Sequence, residues 1–191
     1  MLIDENLTWE NHVDALSKKI VSGIGAIKRI NYCLPPTALH DVYYGLVQSH
    51  LDYCSVVWGS CGSVKLQRLQ NRAAQVFKNS NYDADASILL NDLGWQNLET
   101  QRQIHRAVMV YKSMNYLAPD YMTSKFILHS DLFYSHNFRY FENKPAVPLP
   151  LTNNYRNSFC HSGAVLWNNL LTDVRQSKCF RLDWRPFADY A

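Results

Sequence analysis

Glycine and proline are scarce, with 7 of each in 191 residues. That excludes collagen-like and low-complexity chains. A surplus of one charge is also missing. Lys and Arg total 19, Asp and Glu 16, and the formal charge is +3. A balance so near neutral does not by itself mark a polyanion binder. The five cysteines (Cys33, Cys54, Cys61, Cys160 and Cys179) form no Cys-x-x-Cys. Zinc-ribbon and dithiol-redox chemistry therefore fail on spacing. An odd, thin set also departs from the dense, even framework of small secreted domains. Reduced thiols in an intracellular protein, nuclear or cytoplasmic, are the expectation. Met1 to Asn6 has neither a basic region nor an apolar stretch, so no secretory signal is expected. The apolar runs are too short to span a bilayer.

Catalytic patterns are lacking as well. His12, His40, His50, His105, His129, His136 and His161 are scattered, and none forms a His-x-x-x-His with a third ligand nearby. Structural or surface roles are expected for them, and no metal site. Gly23-Ile24-Gly25 sits inside a helical period and lacks the rest of a phosphate loop, so helix-packing glycines are expected. His50, Asp52 and Ser55 share one short segment on which their side chains would diverge, which argues against a triad. Phe187-Ala188-Asp189-Tyr190 is similar to the Phe/Tyr-Ala-Asp-Asp hairpin of polymerase palms. That hairpin uses paired carboxylates to bind two metal ions. Here tyrosine replaces the second carboxylate and no apolar strand flanks it, which leaves a chance likeness. No catalytic residue, metal, cofactor or small-molecule substrate is expected of this chain.

What is present is material for a core: 47% hydrophobic and 13% aromatic residues. The spacing of apolar residues predicts a mostly α fold. Thr8 can cap a helix from about Trp9, along which Val13, Leu16, Ile20, Ile24 and Ile27 recur at steps of three and four. Lys18 and Arg29 point nearly opposite that line. Pro35-Pro36 should stop this helix and Thr37 cap the next, with a break near Ser49. Gly59 and Gly62 frame a turn. A helix over 63–77 places Leu66, Leu69, Ala73, Val76 and Phe77 on one face and Lys65, Arg68 and Arg72 on a neighbouring stripe. Further helices fit 85–93, ended by Gly94, and 98–114, where Arg102 and Arg106 are expected opposite the buried side. After residue 128, Pro145, Pro148 and Pro150 indicate extended chain with a short hairpin. Ser158 can cap a final helix carrying Phe159, Gly163, Leu166, Trp167 and Leu170 on one side, and the tail after Arg175 has no period.

Basic side chains concentrate in residues 9–80, which hold 8 basic and 4 acidic groups. Lys18, Lys28, Arg29, Lys65, Arg68 and Arg72 are the candidate nucleic-acid contacts, with Trp58 and nearby tyrosines as stacking surface. A solvated helix face explains the same charges more plainly.

The order of several phrases adds to this. They are Leu7-Thr8-Trp9, Lys18-Lys19-Ile20, Asp52-Tyr53 with Val57-Trp58-Gly59, and Leu66-Gln67-Arg68-Leu69-Gln70-Asn71-Arg72-Ala73-Ala74. Leu93-Gly94-Trp95, Leu117-Ala118-Pro119-Asp120-Tyr121, Ser158-Phe159, Gly163-Ala164 and Leu166-Trp167-Asn168 follow. Over about residues 2–175 the chain resembles the region downstream of the palm in reverse transcriptases of non-LTR (LINE-type, jockey-like) retrotransposons. Ser49 stands where that family usually has Pro, Leu151 where it has Arg, and Leu171 where it has Pro. The tail from Ser177 does not resemble it. The resemblance implies a helical thumb over 1–80, with 1–4 as the trailing edge of a palm strand. Further helices over 81–128, an extended segment and C-terminal helix over 129–175, and an irregular tail over 176–191 would follow. It implies contact with an RNA template–DNA primer duplex and with a palm domain. The catalytic aspartates and the Mg they bind would belong to that palm, so this chain would not be an enzyme. The alternatives are a decayed remnant or protein-interaction module, and a co-opted nucleic-acid-binding domain.

Overall fold

A computed structural model describes residues 1–129 and 144–175. Most of the expected extended segment before Lys144, and the tail with Phe187-Ala188-Asp189-Tyr190, lie outside the described residues. The chain is mostly helical, and among the described residues no strand forms. It divides into two compact units, Met1–Arg102 and the remainder from Gln103.

The first unit is built on α1 (Glu10–Ile30). Val13, Leu16, Ile20, Ile24 and Ile27 are all buried, as their period requires. Its start differs from expectation. Trp9 is left-handed with φ 62°, and the helix begins at Glu10. Asp4, and not Thr8, organises this turn. Its carboxylate accepts the backbone N–H groups of Thr8 and Trp9 at 2.8 Å each, and the Thr8 hydroxyl at 3.0 Å. Foremost the Thr8 N–H, then that of Trp9, holds the Asp4 carboxyl below its ordinary range. Thr8 Oγ1 is left 3.5 Å from the Glu10 nitrogen.

The prolines also act differently. α1 ends before them, and Pro36 is the first residue of α2 (Pro36–Tyr43), with Pro35 rather than Thr37 at the cap position. The first helical position suits proline, because an N–H there has no intrahelical partner and φ is already set. No break follows near Ser49. The chain widens into a π-helical stretch over Tyr44–Gln48 and continues as α3 (Ser49–Asp52). Gln48 is buried there, accepting from the Tyr43 hydroxyl and donating to Asp52, both at 2.9 Å. The short α4 (Ser55–Trp58) buries Trp58 completely.

α5 (Ser63–Phe77) has the predicted bounds. Gly62 precedes it at φ 64°, where a Cβ would come within 2.6 Å of Val13 Cγ1. Both conformation and space call for glycine there. Asp14 near the start of α1 meets Lys65 near the start of α5, and Asn31 just after α1 donates to Val76 O at 2.6 Å near the end of α5. The two helices therefore run parallel. α6 (Ala86–Leu93) is capped by Asp85, which accepts from Ser87 N at 2.9 Å, and is closed by Gly94 at φ 67°. Trp95 stacks on Tyr43 at 3.6 Å and donates to His40 Nε2 at 2.9 Å.

α7 (Leu98–Met114) also has its predicted bounds. Arg102, expected on the outer side, is only 2% exposed. Its Nη1 donates to Gly59 O at 2.8 Å, and its guanidinium lies 5.1 Å from the centroid of the Trp58 ring. A buried carbonyl and an aromatic face make this cation compatible with the core, and a wheel that scores arginine only as polar misses it.

In the second unit Ala107 and Val110 of α7 pack with Phe126, Ala164, Trp167 and Leu170. Ile104 is also buried, while Val108, Tyr111 and Met114 are partly buried. Ala164 and Trp167 belong to α10 (Phe159–Asn169), and Leu170 directly follows it; α10 comes after α8 (Asp120–Thr123) and α9 (Asn153–Asn157) and before α11 (Thr172–Arg175). Ser158 occupies the cap position of α10, but its hydroxyl donates back to Tyr155 O at 2.6 Å instead of capping. An isolated antiparallel bridge joins Leu128 and Pro145. Asn168 donates to Pro145 O at 3.0 Å and fixes that extended chain on α10.

Candidate nucleic-acid interface

The six predicted contacts lie on α1 and α5. Taking 100° per residue from Ile20, Lys18 and Arg29 fall about 160–180° away, and both are exposed. Lys28, also exposed, lies about 80° round, on the flank that carries Asp14 at about 120°. Lys65, Arg68 and Arg72 form one stripe on α5, as their three- and four-residue steps dictate. Because α1 and α5 are parallel, Lys65 sits beside the first half of α1. Lys28 and Arg29 sit at the end where Asn31 meets the last turn of α5.

The six are not equivalent. Lys65 Nζ is 2.6 Å from Asp14 Oδ1, with the two side chains 55% and 63% exposed. Lys65, and with smaller weight Lys18, holds the Asp14 carboxyl below its usual range. Lys18 and Lys65 thus gather around one carboxylate, which offsets part of their field. Arg72 is half-buried, with Nη1 3.4 Å from Gln75 Oε1 and its guanidinium 5.5 Å from the Tyr82 ring centroid. Arg68 is exposed. From Lys18 to Lys28 is about 15 Å along the axis of α1, and from Lys65 to Arg72 about 10 Å along α5. The cations are spread along both helices and do not converge on a single binding point.

Trp58 offers no stacking surface, since it is fully buried under Arg102. Its run of apolar neighbours already favoured burial. Tyr53, 65% exposed, remains available. Three further residues shape this surface and are not among the predicted contacts. Lys19 is exposed beside Lys18. Asp14 stands four residues before Lys18, a helical-neighbour spacing that was visible. Tyr82 is 76% exposed beside Arg72, and nothing in its local sequence signals that placement.

Gly23 packs against Leu46 and Val47, and so serves helix packing, whereas nothing lies within 4 Å of a Cβ at Gly25. Among the described residues no group of three or more His, Cys, Asp or Glu is placed to hold a metal ion, and no helix is long and apolar enough to cross a membrane. A cleft of about 700 Å³ opens beside α2, bordered by His40, Asp41, Phe77, Lys78 and Asp92. Lys78 and Asp92 stand 3.9 Å apart across it. No protein-family model, curated protein or solved structure matches the chain.

Proposed function

We propose that this chain is the thumb and C-terminal extension of a non-LTR retrotransposon reverse transcriptase, and that it grips the backbone of an RNA–DNA duplex. The observation that carries the proposal is the parallel α1–α5 pair, which leaves Lys18, Lys28, Arg29 and Arg68 exposed along its length. Helix-borne cations along a rigid pair contact phosphates without reading bases. The ordered phrases of the sequence supply the family. On this proposal the polymerase carboxylates and their Mg reside in a palm domain outside these 191 residues, and these residues alone make no DNA.

The test is binding of a labelled RNA–DNA hybrid, followed by fluorescence anisotropy across a salt series. Each phosphate neutralised should add roughly −0.9 to the slope of log K against log salt, the B-form value. Arg68→Ala together with Lys28→Ala should make that slope shallower. Folded protein that binds no hybrid at low salt would overturn the proposal, as would nucleotide incorporation by the purified chain in a primer-extension assay.

Exposed apolar side chains favour a second role, as a protein-docking module or a remnant that has lost its partner. Tyr44, Leu46, Tyr53 and Val57 are 41–65% exposed between Pro36 and Trp58. Such surface promotes self-association when uncovered. Sedimentation over a concentration series separates the two roles: a monomer throughout, with steep salt-dependent hybrid binding, favours the thumb.

A further inference from the structure

The stripe on α5 ends at an aromatic ring that the structure holds out to solvent. Tyr82 is 76% exposed, yet its loop is fastened from beneath. Gln75, itself buried, donates from Nε2 to Tyr82 O at 2.8 Å and lies 3.5 Å from Ala84 O. Ser80 returns both its N–H and its hydroxyl to Gln75 O, at 3.0 and 3.3 Å. The Arg72 guanidinium sits 5.5 Å from the ring centroid on one side. With so much of the side chain exposed, the opposite ring face is open.

An exposed ring on a fastened loop, backed by a cation and continuous with a basic stripe, has the composition of a single-stranded nucleic-acid platform. Aromatic faces take any base, and neighbouring cations track the backbone. Arg68 and Arg72 are about 6 Å apart along the helix axis, on one side of α5.

We infer that Tyr82 is a stacking platform for an unpaired base, so that this surface takes single-stranded nucleic acid where it leaves a duplex, with Arg72 supporting the ring and Arg68 on the adjoining phosphate. This rests on the duplex-binding function proposed above and extends it to a junction ligand.

The experiment compares two labelled RNA–DNA hybrids that carry the same short overhang, one with bases and one abasic. They present equal phosphates and differ only in stackable faces. Wild-type protein is expected to favour the base-bearing overhang by roughly tenfold, within the range of one stacked base. Tyr82→Ala, checked for folding by circular dichroism, should bring that ratio close to one, and Tyr82→Phe should keep it. A ratio near one in the wild type, a ratio unchanged in Tyr82→Ala, or its loss in Tyr82→Phe would each overturn the stacking role. If wild-type protein binds both overhangs equally, duplex binding survives and the platform does not. If it binds neither, both fall together.

Discussion

A single buried arginine ties three segments of the first unit together. Arg102 from α7 reaches the Gly59 carbonyl before α5 and covers the Trp58 ring of α4. Truncation leaves that carbonyl without this donor and uncovers an indole. Arg102→Ala should lose about 2–3 kcal/mol of stability, seen as a lower urea midpoint with unchanged cooperativity. Arg102→Met, which restores the stem but not the donor, should recover part of it. His12 offers a pH-dependent counterpart. Its ring is buried edge-on to Trp58, with Nδ1 accepting the Leu2 N–H at 3.4 Å and Nε2 without a hydrogen-bond partner. Burial above all, then the nearby N-terminal amine and Lys19, pushes its pKa below the ordinary histidine value. The unfolded chain therefore binds the proton more readily than the fold. The neutral ring's contribution is complete above about pH 6.5 and declines as pH falls through the lower folded value. Urea midpoints at pH 7, 6 and 5 should fall more steeply for wild type than for His12→Gln, and equal slopes would remove His12 from the account.

Glycines within α1 show how the same residue type acts oppositely along one helix. A Cβ at Gly23 would lie 2.9 Å from the backbone oxygen of Leu46 and 3.3 Å from Val47 Cγ2, whereas one at Gly25 would meet nothing within 4 Å. Gly23→Ala must push α1 away from the π-helical stretch and should cost about 1–3 kcal/mol. Gly25→Ala relieves only backbone entropy and should gain about 0.5–1 kcal/mol. Chemical denaturation of the two variants should shift in opposite directions. The paired pattern Gly23-Ile24-Gly25 was legible as helix packing, but which glycine packs depends on a helix twenty residues away. The same limit runs through the fold. α5 and α7 were legible to the residue because long apolar periods and a framing glycine or turn mark them. The start of α1 was not, since a carboxylate five residues upstream of Trp9 sets it. Helices of four or five residues, such as α8 and α9, are too short to show a period. At the candidate site, exposure of Lys18 and Arg29 followed from the helical period, whereas the burial of Arg102 needed its tertiary contact with Trp58.

Across the molecule, net charge understates what the first unit presents, because its acids and bases are placed unevenly. The α1–α5 surface gathers Lys18, Lys28, Arg29, Lys65 and Arg68, and Asp14 is the carboxylate set against them. If this surface works as a single electrostatic field, Asp14 is its brake: it occupies Lys65 directly and lowers the potential at Lys18. Asp14→Asn removes one negative charge while keeping the side chain's size and its place on the outer flank of α1. The pair it breaks is exposed and screened by salt, so folding should hardly change. Hybrid binding should strengthen several-fold at low salt, the gain should shrink as salt rises, and the salt slope should steepen because Lys65 is released for a phosphate. Asp14→Lys should exaggerate all three. An unchanged affinity and slope in both variants would mean that nucleic acid, if bound, meets another part of the chain, and that these cations serve only as a solvated helix face.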